Sequence, residues 1–153
     1  SKIYDICVYS ETNNRMVGRE KKMVKNVIKV DTSGFEKTKT YYVMYDQNGK
    51  ENIAGRMDKI SEPIGWYDYQ KQIWANVVTV NGDDVTYWTY IPRYEYNVDD
   101  LYSTATGKSK VRFIAKTQNT ADVGFVIPES FKFNGQALTG YWISKYDVQG
   151  TIN

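Results

Sequence analysis

The chain has 153 residues, of which 25% are charged and 15% aromatic, and its formal net charge is +2. This length suits one domain or two small ones with a real hydrophobic core. The nearly balanced charge does not indicate a nucleic-acid-binding surface. The sequence also contains no apolar run of about 20 residues that could insert into a membrane as a helix. Without histidine the chain lacks the commonest general base and metal ligand, and its single cysteine cannot form an internal disulfide.

The beginning of the chain predicts a strand. Residues 2–10 alternate loosely between apolar and polar side chains, which is typical of a half-buried strand. Cys7 lies within this apolar run, so a buried structural thiol is favoured over a nucleophile. Because the sequence starts at Ser1 with neither Met nor a secretion signal, we expect a processed or ordered piece of a longer chain.

The segment 19–30 fits two structures. Met23, Val27 and Val30 recur at the spacing of one helical face, whereas residues 26–30 also fit a strand. Nothing before the segment caps a helix well, so the strand is favoured. Its lysines are interpreted as a solvated face rather than a basic patch.

Two turn signals frame the next predicted strands. Residues 31–34 form a turn cluster, and residues 40–45 predict a strand rich in tyrosine and β-branched side chains. The Asn48-Gly49 turn then leads into residues 50–60, which gives an antiparallel hairpin. Residues 61–65 contain Pro and Gly, and we place a soft domain boundary there.

The clearest hairpin in the sequence lies at its centre. Residues 74–80 and 85–93 are rich in Val, Thr and aromatic side chains, and Asn81-Gly82 stands between them as a tight-turn signal. Pro92 cannot donate a backbone hydrogen bond, so the second strand should end near it or run along an edge. Three of the four tryptophans lie between residues 66 and 93, and we expect the antiparallel hairpins to bury the tryptophans.

The remainder of the chain continues the β pattern after a polar loop at residues 97–110. Strands are predicted at residues 111–115, 124–128 and 138–148, and the Asn134-Gly135 turn precedes the last of these. Because turn signals recur every ten residues or so, the sequence predicts a mainly β fold of antiparallel hairpins.

Three short motifs resemble ligand sites but lack the required frame. Gly107-Lys108-Ser109 has the end of a phosphate-binding loop, yet Tyr102 stands where that loop needs a glycine. The pairs Asp83-Asp84 and Asp99-Asp100 lack the alternating oxygen ligands and distal Glu of a calcium loop. We therefore predict no metal site and no cofactor, and interpret both pairs as solvated turn residues.

The sequence gives equally little support for a set of catalytic residues. Glu95, between Tyr94 and Tyr96, is the best candidate for one carboxylate of a glycosidase pair, but its position near a strand end favours a surface residue. Ser144 and Lys145 are adjacent in a predicted strand, so their side chains point to opposite faces and cannot form a serine–lysine dyad. The sequence therefore predicts no catalytic residue and no enzyme, and it identifies no ligand-binding residue.

Several blocks resemble phage and prophage structural proteins of the tail-fibre or minor virion type. They occur in the same order and are WYDY (66–69), WANVVTV (74–80), YIPRYEY (90–96), VRFI (111–114), GFVIPESF (124–131) and LTGYWISKY (138–146). The resemblance implies a phage-structural β domain over residues 66–153, preceded by an N-terminal β region over residues 1–65 that serves attachment or assembly.

This resemblance implies a virion location and partners among other virion proteins. It also implies a homo-oligomer, first of all a trimer, and attachment to a host-surface glycan or protein. Unpaired sheet edges would be satisfied by neighbouring subunits, because exposed edges invite pairing. Similar segments occur in bacterial surface and pilin-like proteins, so a surface or pilus-associated adhesin at the bacterial cell surface is the alternative.

A weaker resemblance involves YWISKYDV (141–148), which is similar to an early strand of formylglycine-generating-enzyme-like domains with the C-type lectin type of fold. Ile91-Pro92 would correspond to the opening strand of such a domain. The resemblance implies that this chain forms the N-terminal part of a C-type-lectin-like domain. The catalytic cysteines of that enzyme lie in a later portion that has no counterpart here. A fragment of a lectin-like enzyme domain without its catalytic half is therefore the other alternative.

Overall fold

The computed structural model describes residues 28–97 and 111–146. The described chain is mainly β with antiparallel pairing, as the sequence predicts. The strand predicted at residues 2–10 lies outside these ranges, as does the predicted loop at 97–110 beyond its first residue. Residues 28–30, the described end of the predicted strand at 19–30, are not in a strand.

The strands are short and follow one another closely along the chain. They are β1 (Thr40–Tyr45), β2 (Glu51–Arg56), β3 (Asn76–Asn81), β4 (Asp84–Pro92), β5 (Tyr94–Asn97), β6 (Val111–Phe113), β7 (Phe125–Val126), β8 (Lys132–Phe133), β9 (Gln136–Ala137) and β10 (Gly140–Ser144). Helical structure among the described residues is limited to single 3-10 turns at Lys37–Lys39, Tyr69–Lys71 and Glu129–Phe131.

One compact unit, the five-stranded unit, comprises residues 31–67, 74–91 and 142–146. Its sheet has the strand order β10-β4-β3-β1-β2. The predicted hairpins are confirmed: β1 pairs antiparallel with β2, and β3 pairs antiparallel with β4. The central hairpin turns through Gly82 at φ 63° and the first through Gly49 at φ 77°, a region that glycine enters without steric cost. Strand β4 ends at Pro92, as predicted from the missing N–H.

The core of the five-stranded unit is built around Trp66, which is only 2% exposed. Its indole Nε1 donates to the carbonyl of Asn76 at 2.8 Å, and its ring meets Tyr42 edge-on at 4.7 Å between centroids. The expectation that the tryptophans are buried holds only for Trp66, because Trp88 and Trp142 are half-buried and Trp74 is 37% exposed.

The second compact unit, the three-stranded unit, comprises residues 28–30, 68–73, 92–97 and 111–141. Its main sheet has the order β6-β5-β7, and β8 and β9 form a separate hairpin at the predicted Asn134-Gly135 turn. Phe131 is buried here between the rings of Tyr94, 5.4 Å away, and Tyr141, 5.0 Å away. The strands predicted at 111–115, 124–128 and 138–148 are all present but shorter than predicted.

Candidate functional site: an exposed tyrosine surface

The ends of three strands of the five-stranded unit bring tyrosines and opposite charges together. Tyr45 ends β1 and is the cross-strand partner of Glu51, which begins β2. Tyr87 belongs to β4, and the backbone N–H of Lys145 donates to its carbonyl at 2.9 Å just after β10 ends. We call this group, Tyr45, Glu51, Tyr87, Lys145 and Tyr146, the tyrosine surface.

The hairpin turn between β1 and β2 fixes one side of the tyrosine surface. The Asp46 carboxylate accepts from the backbone N–H groups of Asn48 at 2.8 Å and Lys50 at 2.9 Å. Asp and Asn stabilise tight turns by such local bonds to the backbone. Because this turn sets the register in which Tyr45 faces Glu51, the site is built on a defined hairpin end.

Two hydrogen bonds orient the polar groups of the tyrosine surface. The Tyr87 hydroxyl donates to Oε2 of Glu51 at 2.7 Å, and the Lys145 ammonium donates to the Tyr45 hydroxyl at 2.9 Å. The hydrogen bond to Glu51, followed by burial and by the charge of that carboxylate, raises the pKa of Tyr87 from 10.0 to about 12. The Tyr87 phenol is therefore a neutral donor throughout the physiological range.

The aromatic rings add a second kind of contact. The Lys145 ammonium lies 4.4 Å from the ring centroid of Tyr45 and 5.9 Å from that of Tyr146, within the range of cation–π attraction. The rings of Tyr87 and Tyr146 meet edge-on, with 5.9 Å between centroids. Each ring is thus held by a neighbour, which reduces the conformational entropy that a bound ligand would have to remove.

The tyrosine surface is accessible to solvent. Tyr146 is 64% exposed and Tyr45 is 37% exposed, whereas Tyr42, Tyr69 and Tyr90 are buried. Exposed tyrosines combine an apolar ring with a polar hydroxyl, which suits recognition of partners from solution. Chemically, the arrangement can stack, donate and accept hydrogen bonds.

Glu95 and its neighbours form the other polar cluster, in the three-stranded unit. The prediction that Glu95 is a surface residue is wrong, because its side chain is 0% exposed. Its Oε2 accepts from the Arg112 guanidinium at 2.6 Å, and its Oε1 accepts from the backbone N–H of Asp122 at 2.9 Å and from Gln118 at 3.5 Å. The local sequence, a glutamate between two tyrosines in a strand, did not reveal this burial. The groups that bond to the Glu95 carboxylate come from distant segments of the chain.

Arg93 completes the buried charge of the three-stranded unit. Its guanidinium donates to the carbonyls of Leu138 at 3.2 Å, Ala115 at 3.1 Å and Lys116 at 2.9 Å, and to the side-chain oxygen of Asn119 at 3.2 Å. The residue is 1% exposed. A guanidinium that spans several loop carbonyls ties backbone segments together, so Arg93 and Glu95 serve architecture in this unit.

The remaining sequence candidates do not assemble into a site. Asp83 and Asp84 are exposed at the β3–β4 turn, and the described ranges contain no group of three or more His, Cys, Asp or Glu that could hold a metal ion. Lys145 bonds to Tyr45 rather than to Ser144. Cys7, Asp99-Asp100 and Gly107-Lys108-Ser109 lie outside the described residues.

Sequence reasoning missed the tyrosine surface. Its hydrogen-bonded pairs are 36 residues apart for Tyr87 and Glu51, and 100 residues apart for Lys145 and Tyr45. The sequence did contain one indication of a recognition surface, which is its high tyrosine content of 14 residues. Composition indicates a recognition surface without identifying its members.

Comparison with known families, curated proteins and solved structures finds no match to this chain. Among the described residues, no helix has the length and apolar character that a membrane span requires.

Proposed function

We propose that this protein is a non-enzymatic structural protein of a phage particle, of the tail-fibre or capsid-associated kind, which acts in assembly and in attachment to the host surface. The observation that carries the attachment role is the tyrosine surface, which presents exposed aromatic rings beside a carboxylate and an ammonium. Rigid aromatic groups with adaptable polar neighbours are the chemistry of recognition surfaces. The phage context is supported by the sequence blocks between residues 66 and 146.

The assembly role is supported by the edges of the five-stranded sheet. Within residues 28–97 and 111–146, strands β10 and β2 stand at the two ends of the strand order, and Ile53 of β2 is 42% exposed. An edge strand presents backbone donors and acceptors that another chain can pair with. We propose that copies of this chain associate through such an edge, with a trimer as the expected assembly and other virion proteins as further partners.

A particle-association experiment tests this function. Phage particles are induced from the strain that encodes the chain, separated from cell envelopes on a density gradient, and digested for peptide mass spectrometry. We expect peptides of this chain to sediment with the particles. Peptides found only in the envelope fraction would overturn the virion role and support a bacterial surface adhesin.

Two measurements on the purified protein test attachment and assembly separately. Fluorescently labelled protein is mixed with bacterial cells related to the encoding strain, and cell-associated fluorescence is counted by flow cytometry. We expect saturable binding, and absence of binding to every strain tested would overturn the attachment role. Light scattering should give the mass of three chains, whereas a monomer at micromolar concentration would overturn the assembly role.

A further inference from the structure

The chemistry of the tyrosine surface restricts what it can bind. A cationic ligand is disfavoured, because the Lys145 ammonium already lies 4.4 Å from the Tyr45 ring centroid and would repel a second cation. An anionic ligand that reaches Tyr87 must approach the Glu51 carboxylate, which accepts from the Tyr87 hydroxyl at 2.7 Å. The five residues that define the tyrosine surface include one positive and one negative side chain, so together they do not favour a ligand of either sign of charge.

An uncharged ligand with hydroxyl groups avoids both penalties. A carboxylate can accept about four hydrogen bonds on its two oxygens, and the bond from Tyr87 to Oε2 of Glu51 uses one of them. The Lys145 ammonium has three N–H donors and gives one to Tyr45. A ligand hydroxyl can therefore donate to Glu51 while a neighbouring hydroxyl accepts from Lys145.

The exposed ring supplies the apolar half of the same site. Tyr146 is 64% exposed while its ring contacts Tyr87 and the Lys145 ammonium. A pyranose ring has an apolar C–H face bordered by hydroxyls, so one rigid unit satisfies the aromatic ring, the carboxylate and the ammonium together. A peptide would need separate side chains for each of these contacts and would lose more conformational entropy.

We propose that the tyrosine surface is a binding site for a neutral saccharide, which stacks on Tyr146 and forms hydrogen bonds with Glu51 and Lys145. This inference rests on the attachment role proposed above and names the chemical class of the ligand. It requires no catalytic step, because stacking and hydrogen bonding leave the covalent bonds of the saccharide unchanged.

The test is an array that displays neutral and acidic oligosaccharides, probed with the labelled wild-type chain and followed by calorimetric titration of the strongest binder. We expect neutral oligosaccharides to bind and acidic ones to bind more weakly. Tyr146→Ala should weaken binding about tenfold or more through loss of the stacking ring. Tyr146→Phe should stay within about threefold of wild type, because it retains the ring.

Phe133→Ala is the matched control. Phe133 is 67% exposed, close to the exposure of Tyr146, and belongs to β8 of the three-stranded unit. It should leave saccharide binding unchanged. Equal losses for Tyr146→Ala and Phe133→Ala would overturn the site, as would wild-type binding to acidic saccharides alone or to no saccharide.

The cell-binding assay separates this inference from the proposed function. If labelled protein binds cells, but neither excess neutral oligosaccharide nor Tyr146→Ala reduces the signal, attachment stands and the saccharide inference is overturned in favour of a protein receptor. If the array detects a neutral saccharide but the protein binds no cells, the site stands and the attachment role is overturned.

Discussion

The tyrosine surface and the Glu95 cluster contain the same pairing of aromatic rings with opposite charges, but solvent gives them different roles. In the tyrosine surface Tyr146 is 64% exposed and Tyr45 is 37% exposed, so water and ligands can reach these side chains. In the Glu95 cluster the carboxylate is 0% exposed and bonded to Arg112 at 2.6 Å. A buried ion pair that loses one partner leaves an uncompensated charge, whereas an exposed pair contributes little to stability. The first group is thus available for recognition and the second serves the fold.

Replacement of Arg93 should produce the largest effect on stability. Arg93→Met leaves the carbonyls of Leu138, Ala115 and Lys116 without their guanidinium donor, and we expect unfolding to become easier by about 4 kcal/mol. Arg93→Lys should lose less stability than Arg93→Met, because the lysine ammonium keeps the positive charge. It should still be less stable than wild type, because an ammonium lacks the planar fork of donors that guanidinium presents. Urea unfolding monitored by tryptophan fluorescence measures both. A loss below about 1 kcal/mol for Arg93→Met would contradict the architectural role.

Glu95→Gln should have the next largest effect. The amide retains the side-chain volume but removes the charge that pairs with Arg112, and we expect a loss of about 2 kcal/mol. This value is moderate because Arg112 is partly exposed and also pairs with Asp122 at 2.7 Å. The control is Glu129→Gln, whose ion pair with Lys132 is highly exposed and should leave the unfolding midpoint unchanged. Equal midpoints for the two variants would remove the distinction between buried and exposed pairs.

The sequence could predict features that depend on neighbouring residues but not contacts between distant ones. Asn81-Gly82 and Asn48-Gly49 act locally, so their two hairpins followed from neighbouring residues. At Asn134-Gly135 the turn was predicted, but the short strands that it joins were not. The burial of Glu95 depends on Arg112, 17 residues away, and on the backbone of Asp122, 27 residues away. No local pattern contains such a contact, and the tyrosine surface stayed unpredicted for the same reason.

Phe125 tests a smaller part of the Glu95 cluster. The Arg112 guanidinium carbon lies 3.9 Å from the Phe125 ring centroid, so the ring shields one side of the ion pair. Phe125→Leu keeps an apolar side chain and removes the cation–π attraction, and we expect a loss of about 1 kcal/mol in urea unfolding. If the Phe125 ring and the ion pair are coupled, Phe125→Leu should change the free energy of unfolding by a different amount in the Glu95→Gln variant than in wild type. Equal changes in the two backgrounds would show that the ring and the ion pair act independently.

The smallest effect is expected at the tyrosine surface and appears only at high pH. The pKa of Tyr87 is raised in the folded chain from 10.0 to about 12, first by its hydrogen bond to Glu51. A group whose pKa is higher in the folded state stabilises that state below its unfolded pKa and ceases to do so as pH rises through the folded value. The stabilisation by Tyr87 should therefore be complete below pH 10 and disappear between pH 10 and about 12.

Tyr87→Phe removes this titration and provides the comparison. The difference in unfolding midpoint between wild type and Tyr87→Phe should shrink as the pH rises from 10 to about 12. The phenolate absorbance lost in Tyr87→Phe gives the pKa of this tyrosine directly, and Glu51→Gln should bring that pKa back toward 10.0 because the accepting carboxylate is gone. A wild-type Tyr87 that already titrates near 10.0 would mean that its bond to Glu51 does not persist in solution. The polar half of the saccharide site would then be unformed before a ligand arrives, and binding would have to supply the ordering that the tyrosine surface is proposed to provide.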